Sequence, residues 1–430
     1  MRSGDTIVAL SSGAPPSGVA VIRLSGPDVP AILRAVAGDL PERRRLTLRP
    51  IGRDSLLDRG LVAYFPAPHS FTGEDCAELQ VHGSPAGVRA ILKLVVDLGA
   101  RLAEAGEFTR RAFENGKLDL VEIEGLGDLL EAETENQRRQ ALARFEGGLS
   151  QRIDAWGDQL LDLRAEIEAR LDFSDEGDVA DALPESFAAS IVALKQDIAT
   201  ALDSVEHGRI VREGIRVALA GAPNAGKSSL LNALAKSDIA IVTDEAGTTR
   251  DVREVPLDIN GQLYILLDLA GLRDTDSKAE AEGVRRARLA IDQADIVLWL
   301  TAPDVGDLDP TRRAAAHIRV GTKLDLGTVD GADVQVSTTT GAGLGQLLRA
   351  IASIGQSLVG GEPGLLSRER DRAALSAATD ALDAAMHQLS VPELAAESLR
   401  IASQALERLV GRLDAERVLD RLFASFCIGK

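Results

Sequence analysis

Gly221 to Ser228 reads GAPNAGKS, a GxxxxGK[ST] loop between an apolar strand-like run, Ile215 to Ala220, and a helix-forming run, Ser228 to Leu234. A glycine-rich turn in that context aims backbone amides inward at a helix start, which is how a chain holds phosphate. Lys227 then brings a cation to the terminal phosphate oxygens, and Ser228 is placed to ligate Mg²⁺. The strand–loop–helix unit also requires a parallel sheet around it. Between Ile215 and about Gln356 short apolar strands do alternate with helices: Leu263 to Leu267, Ile296 to Leu300, His317 to Val320 and Val334 to Val336. This pattern predicts one doubly wound α/β domain.

Three further motifs fall on or beside those strand ends. Asp268-Leu269-Ala270-Gly271 follows Leu263 to Leu267, which puts Asp268 near a Mg²⁺ shell and the Gly271 amide near a terminal phosphate. Gly247-Thr248-Thr249-Arg250-Asp251 lies between the two phosphate motifs, where a threonine hydroxyl can ligate Mg²⁺ only while a terminal phosphate orders the loop. Thr322-Lys323-Leu324-Asp325 follows His317 to Val320. The Asp325 carboxylate can accept from guanine N1 and its exocyclic amine, a paired donor edge that adenine lacks.

The rest of the chain is of two other kinds. Residues 1 to about 115 mix short β-rich runs (Ile7 to Leu10, Gly18 to Leu24, Leu61 to Phe65, Cys76 to Val81) with a helix over Ser84 to Leu98, an α+β pattern. From about Lys117 helical stripes take over: Ile153, Trp156, Leu160, Leu163, Ile167 and Leu171, then Phe187, Ile191, Leu194, Ile198, Leu202 and Val205. Helical spacing returns after the Gly360 to Gly364 linker, through Leu375, Leu382, Met386, Leu389, Leu399, Leu406, Leu409 and Leu413. So short a tail makes a poor core alone, so these helices should complete the earlier bundle, with the nucleotide domain inserted in it. The expected fold is multidomain: an α+β domain over 1–116, a discontinuous α-helical bundle over 117–208 and 359–430, and an α/β domain over 209–358.

A formal charge of −18 argues against polyanion binding over the whole surface. RNA contacts would need local patches, of which Arg43 to Arg45, Arg110 with Arg111, Arg138 with Arg139, and Arg285, Arg286 and Arg288 are candidates, each also readable as a solvated face. Only Cys76 and Cys427 occur, so neither a disulfide framework nor a zinc pattern is expected. Cys76 and His82 are expected in or against a core. No apolar run approaches a membrane span and Met1 to Gly13 lacks a signal-peptide core, so a cytoplasmic location is the default expectation.

GxPNxGKSSLLNAL, GTTRD, DxAG and [NT]KxD together resemble the Era, Der and MnmE group of GTPases. The final Phe426-Cys427-Ile428-Gly429-Lys430 resembles the C[IL]GK ending of the MnmE (TrmE) family of tRNA-modifying GTPases. Further segments resemble that family: Asp5 to Ala9, Arg23-Leu24-Ser25-Gly26, Ser70-Phe71-Thr72-Gly73-Glu74-Asp75, Glu78-Leu79-Gln80, Gly106-Glu107-Phe108, Arg111 to Phe113 and Lys117-Leu118-Asp119-Leu120. Leu171-Asp172-Phe173 and Asp175-Glu176 continue it. Two departures stand out: Thr322 where most members carry Asn, and Leu269 where DTAG is commoner.

The resemblance implies a Ras-like GTPase domain with nucleotide contacts at Asn224, Ala225, Gly226, Lys227, Ser228, Ser229, Thr243, Asp244, Glu245, Ala246, Gly247, Thr248, Thr249, Asp268, Leu269, Ala270, Gly271, Thr322, Lys323, Asp325, Ser337 and Thr338. It implies Mg²⁺ on Ser228 and Thr249, and K⁺ on Asn224, Thr243, Glu245 and Thr248, completed when two GTPase domains face each other. Leu272 stands where Ras-like enzymes carry a water-orienting glutamine, and leucine cannot take that part. The resemblance gives water activation to Glu280, with Lys227 as the other catalytic residue.

It further implies a folate-binding-like N-terminal domain through which the protein dimerises. There 5-formyl- or 5,10-methylene-tetrahydrofolate would meet Arg23, Glu78, Lys117 and Lys430. A carboxylate suits the pterin's amino-pyrimidine edge, and cations suit its carbonyls and glutamate tail. The implied reaction, with the FAD-carrying MnmG (GidA) as partner in a heterotetramer, adds an aminomethyl or carboxymethylaminomethyl group at C5 of the wobble uridine of certain tRNAs. Cys427 has no neighbouring base in sequence beyond Lys430 to activate it. The alternatives are an Era- or Der-like GTP switch acting in ribosome assembly, which needs neither the CIGK tail nor the folate-type domain, and a folate enzyme with a regulatory nucleotide domain.

Overall fold

Hydrophobic alternation and helical periodicity build two six-stranded sheets, each with helices against it. The computed structural model describes residues 4–172, 183–241, 253–268, 289, 291–305, 316–360, 364–413, 418, 419, 422 and 429. The chain divides into two compact units, residues 1–127 with 406–430, and residues 128–405.

In the first unit the strands are β1 (Ile7–Leu10), β2 (Ser17–Ser25), β3 (Thr47–Gly52), β4 (Leu56–Phe65), β5 (Cys76–Gly83) and β6 (Arg101–Leu102), in spatial order β3-β4-β5-β2-β1-β6. All pairs are antiparallel except β1 with β6. Ala20, Ile22 and Leu24 of β2 alternate toward α1 (Val29–Ala37) and α2 (Pro85–Asp97), and bury with Val62, Leu79, Ile32 and Ile91. A smaller cluster, Ile7, Ala9, Ala103 and Phe108 with Phe71 against it, includes α3 (Glu107–Glu114). The same alternation turns His82 outward between buried Val81 and Gly83, so it is exposed and paired with Asp58 at 2.8 Å, not in the core as expected. Cys76 is buried as expected.

Polar groups beside this second cluster form a continuous network. Arg101 and Arg111 both reach Asp5, at 2.6 and 2.7 Å, and Glu107, at 2.5 and 3.1 Å; Arg111 also reaches Glu74 at 3.0 Å. Arg111 is therefore a buried structural cation and not a surface patch for RNA. Arg138 and Arg139 both clasp Glu135, whose carboxyl those hydrogen bonds hold down to about 2.

α4 (Leu120–Glu131) runs through residue 128, where the second unit begins, and α5 (Glu135–Phe145), α6 (Gly148–Asp172), α7 (Glu185–Asp203) and α8 (Val205–Glu213) follow. Its sheet is β7 (Ile215–Gly221), β8 (Arg253–Ile259), β9 (Gln262–Asp268), β10 (Ile296–Thr301), β11 (His317–Gly321) and β12 (Val334–Gln335), ordered β12-β11-β10-β7-β9-β8. Every pair is parallel except β8 with β9, a hairpin closed by the left-handed pair Asn260 and Gly261. The other helices with described bounds are α9 (Lys227–Ala235), α10 (Leu344–Val359), α11 (Glu369–His387) and α12 (Pro392–Val410).

Helices from before and after the α/β segment pack together: α7 lies along α11, with Lys195 to Asp383 at 2.5 Å. Of the first two stripes Trp156, Leu160, Ile167, Ile191, Leu194 and Ile198 are fully buried, as their spacing predicts. Arg144 of α5 meets Asp371 of α11 at 3.2 Å, both wholly buried, and Arg144 also donates to the Leu365 carbonyl. Where the chain enters and leaves the α/β segment, the Gln140 amide donates to the carbonyls of Gly208, at 3.0 Å, and Gly364, at 2.6 Å. A Cβ on Gly208 would collide with the Leu366 carbonyl, so the two passages touch only because that side chain is absent.

Candidate nucleotide site

The parallel order brings the carboxyl ends of β7, β9, β10 and β11 to one edge, and the sequence motifs sit there. β7 ends at Gly221, whose φ of +136° and closeness to the Leu300 carbonyl exclude any Cβ. The loop turns through Asn224, a non-glycine residue at φ +65°, to Gly226 at φ +89°, which caps the N-terminus of α9. Ala225 is buried under it. The first amides of α9 face the loop mouth, the standard seat for phosphate oxygens.

Lys227 Nζ lies across that mouth and donates to the carbonyls of Gly221, at 2.9 Å, and Ala222, at 2.8 Å. The Ser228 hydroxyl donates to the buried Asp268 carboxylate at 2.9 Å. Hydroxyl and carboxylate oxygens are hard donors, and no group of three or more acidic, His or Cys side chains placed to hold a metal ion by themselves occurs among the described residues. That set fits Mg²⁺, which keeps waters and phosphate oxygens in its shell, better than an all-protein cage.

At the far side of the same edge is the base loop, Thr322 to Asp325, named for the role the sequence predicts for Asp325. Asp325 accepts from Ser337 Oγ at 2.6 Å, which orients its carboxylate. Lys323, at φ +54°, reaches Asp304 at 2.7 Å, and its hydrogen bond lowers the Asp304 pKa. The buried Thr322 hydroxyl sits 2.7 Å from the Ala225 carbonyl and 3.1 Å from that of Thr301. Thr322 thus ties the base loop directly to the phosphate loop. In sequence Thr322 stands out only as a departure from Asn, and Asp304 belongs to no motif.

The structure therefore gathers Asn224, Ala225, Gly226, Lys227, Ser228, Asp268, Thr322, Lys323, Asp325 and Ser337 on one edge of a sheet. Thr243 to Thr249, Leu269 to Gly271, Leu272, Glu280, Cys427 and Lys430 lie outside the described residues.

A second polar constellation sits mid-strand on the other sheet. Arg23 of β2 faces Glu78 of β5 in register and pairs with it at 2.9 Å. Its guanidinium lies 5.5 Å from the Phe71 ring and 5.9 Å from the Phe108 ring, a cation–π pocket that the sequence did not announce. Lys117 is exposed beside Gly73. The Gly429 carbonyl accepts from Ser11, and a Cβ on Gly429 would strike the Leu10 carbonyl, so Gly429 is fitted to the end of β1. Ala9, next to that contact, faces Arg23 across the β1–β2 ladder. A planar cation and a carboxylate, half-open and flanked by two aromatic rings, form a donor set that fits a flat heteroaromatic ring with an amide-like edge.

A parallel sheet with one antiparallel edge hairpin, a phosphate loop after its central strand and an Asp–Ser pair in the base loop define a P-loop nucleotide-binding protein of the GTPase class. Residues 6–117 match the family described as GTP-binding protein TrmE N-terminus, and residues 120–427 match the MnmE helical domain. Proteins named tRNA modification GTPase MnmE are 50% identical in Rhizobium johnstonii and 51% in Rhizobium etli, each over 99% of both chains. One in Azorhizobium caulinodans is 50% identical over 100% of both. Among solved structures, the G domain of the T. maritima FeoB iron transporter is 27% identical over 33% of this chain and 99% of its own, at TM-score 0.25. The chain belongs to the MnmE family of tRNA modification GTPases. No helix among the described residues is long and apolar enough to cross a membrane.

Proposed function

We propose that this chain hydrolyses GTP in order to modify tRNA, adding an aminomethyl or carboxymethylaminomethyl group at C5 of the wobble uridine together with a flavin-dependent partner of the MnmG kind. The observation that carries this reading is the full-length identity to tRNA modification GTPases combined with two polar sites on two sheets, one built for a nucleotide and one for a flat heterocycle.

At the nucleotide site the loop amides and Lys227 hold the phosphates, Ser228 with Thr249 holds Mg²⁺, and Asp325 selects guanine. Asn224, Thr243, Glu245 and Thr248 would hold K⁺, a positive charge where the transition state gathers negative charge. Glu280 orients or deprotonates water, the part Leu272 cannot take. At the other site Arg23, Glu78, Lys117 and Lys430 bind the tetrahydrofolate, which when bound supplies the one-carbon unit. The four-segment division at 116, 208 and 358, dimerisation through the N-terminal domain and a cytoplasmic setting belong to the same proposal.

Mass spectrometry of wobble uridines from cells lacking the chain tests it. The expected result is loss of the modified nucleoside and its return on complementation. Nucleoside profiles identical to the parent's would favour the ribosome-assembly switch. GTP turnover higher in K⁺ than in Na⁺ is expected of the ion site, and equal rates would remove it.

A further inference from the structure

The hairpin of β8 and β9 is longer than the sheet that carries it. β8 pairs with β9 over its whole length, from Arg253 opposite Asp268 to Ile259 opposite Gln262. β7, however, supports β9 only from Tyr264 to Asp268. The tip, Ile259 to Leu263, therefore overhangs the ladder with β7. Its support comes from α5, outside the α/β segment, and from α8, which leads into it. The backbone N–H of Asn136, in α5, donates to the Gly261 carbonyl at 2.9 Å, and the Asn136 side-chain Nδ2 donates to Gln262 Oε1 at 3.3 Å. Gln262 Nε2 in turn donates to the Ile210 carbonyl of α8 at 3.2 Å.

Beside the tip is a cavity of about 320 Å³ bounded by Asn136, Asn260, Tyr264, Gly355 and Gly360. Tyr264 is almost wholly buried there, no hydrogen bond of its phenol occurs among the described residues, and burial pushes its pKa up to about 12. The phenol stands where it does because Gly355 has no side chain to meet it. The cavity leaves the tip room to tilt, and a tilt breaks no hydrogen bond of the Tyr264 phenol among the described residues.

The other end of the same hairpin is the nucleotide site. Asp268, held by Ser228, is the last residue of β9 and opens the DLAG motif, and β8 starts two residues after Asp251 of the GTTRD motif. A hairpin about 20 Å long at ~3.3 Å per residue thus joins the Mg²⁺ and phosphate motifs to α5. We propose that Asn136 is a positioning residue for GTP turnover: by gripping the overhanging tip at Gly261 and Gln262, α5 sets the tilt of the hairpin and so the placement of Asp268 and the two motifs that flank it. This rests on the GTPase reading above.

The geometry supplies its own test. A Cβ on Gly261 would lie 3.4 Å from that of Glu135, within reach of a disulfide. The double variant Glu135→Cys/Gly261→Cys is assayed in the full chain, oxidised and then reduced, with the parent treated alike to account for the native cysteines. Locking the tip is expected to lower kcat for GTP about tenfold with KM changed by less than about twofold, and reduction to restore it. Equal kcat in the two redox states overturns the proposal, whereas absence of GTP turnover in the reduced variant and in the parent overturns the GTPase reading instead.

A second measurement decides the matter if the bridge fails to close. Amide exchange at Ile259 to Leu263 is compared with GDP and with a non-hydrolysable GTP analogue bound, in the parent and in Asn136→Ala. The variant keeps the backbone bond to Gly261 and loses only the side-chain contact to Gln262, so the proposal expects a nucleotide-dependent difference at the tip that shrinks in it; an undiminished difference, or the same protection with both nucleotides, overturns it.

Discussion

The two sheets have the same number of strands and solve opposite problems. The parallel sheet collects its chemistry at strand ends, where loops and a helix N-terminus supply backbone amides and the side chains clasp one another: Lys227 on its own loop, Ser228 on Asp268, Ser337 on Asp325. In the antiparallel sheet the polar pair Arg23 and Glu78 lies in mid-strand, opposite in register and flanked by aromatic rings. A strand-end site can change shape with its loops, whereas a mid-strand site is held by the ladder itself. The first arrangement suits a cycle of binding and hydrolysis; the second suits a ligand that must always be met the same way.

Lys227→Ala tests the strand-end side most severely: GTP turnover is expected to fall on the order of 10²–10³-fold, as when one transition-state charge donor is removed. Asp325→Asn comes next, lowering GTP affinity by about 10–100-fold and shifting preference toward xanthosine nucleotide, measured by competition. An unchanged guanine preference would remove Asp325 from base recognition.

Arg23→Ala is expected to weaken 5-formyl-tetrahydrofolate binding by on the order of tenfold, read by calorimetry, while leaving GTP turnover unmoved. If this variant slowed GTP hydrolysis as much as Lys227→Ala does, the two sites could not be treated as separate. Thr322→Ala should cost about 1–3 kcal/mol, because the Ala225 carbonyl loses its hydroxyl partner in a buried place. Its signature is faster GDP release with little change in folate binding.

The smallest effect concerns acid. Burial alone would raise the Glu107 pKa, but hydrogen bonds from Arg101, the Glu104 amide and Arg111 outweigh it and hold the group below its ordinary 4.5. A depressed folded-state pKa contributes stability that is present above 4.5 and is lost as pH falls through the folded value. Melting of the full chain should therefore weaken below that pH, and Glu107→Gln should flatten this part of the profile. A variant with the parent's full acid sensitivity would show that the network adds nothing to it.

Much of the architecture was legible because it follows from periodicity. The phosphate loop, five of the strands around it and the two long helical stripes appear where their spacing puts them. The missed strands, β3, β6 and β8, all lie at sheet edges, and β6 is only two residues long. β3 and β8 are both edge strands, each with an internal proline, Pro50 and Pro256, and with charged residues that break the apolar pattern. An edge tolerates both because one side of its backbone has no ladder to complete, so the sequence rules that detect central strands pass over it.

The site was less legible than the fold. Lys227, Ser228, Asp268 and Asp325 are fixed by motif grammar, and the structure gathers them. Asp304 and the aromatic flank of Arg23 arise from folding distant segments together, which no local pattern encodes. Arg111 is the instructive inversion: beside Arg110 it reads as a basic patch, yet Asp5, Glu74 and Glu107, spread over a hundred residues of sequence, enclose it.

Gln140 joins the carbonyls of Gly208 and Gly364, so the two ends of the inserted segment are stapled side by side. Seen from the helices, the whole α/β segment is a surface loop with a closed neck. Its length scarcely matters to them, since closure entropy grows only as the logarithm of loop size and the ends are already together. A short glycine-rich bridge could therefore replace it and leave α7 and α11 packed, with Arg144 and Asp371 still paired between the halves. The molecule carries its GTPase segment in the manner of a cartridge: removable at one neck, and informed of its surroundings through a hairpin tip.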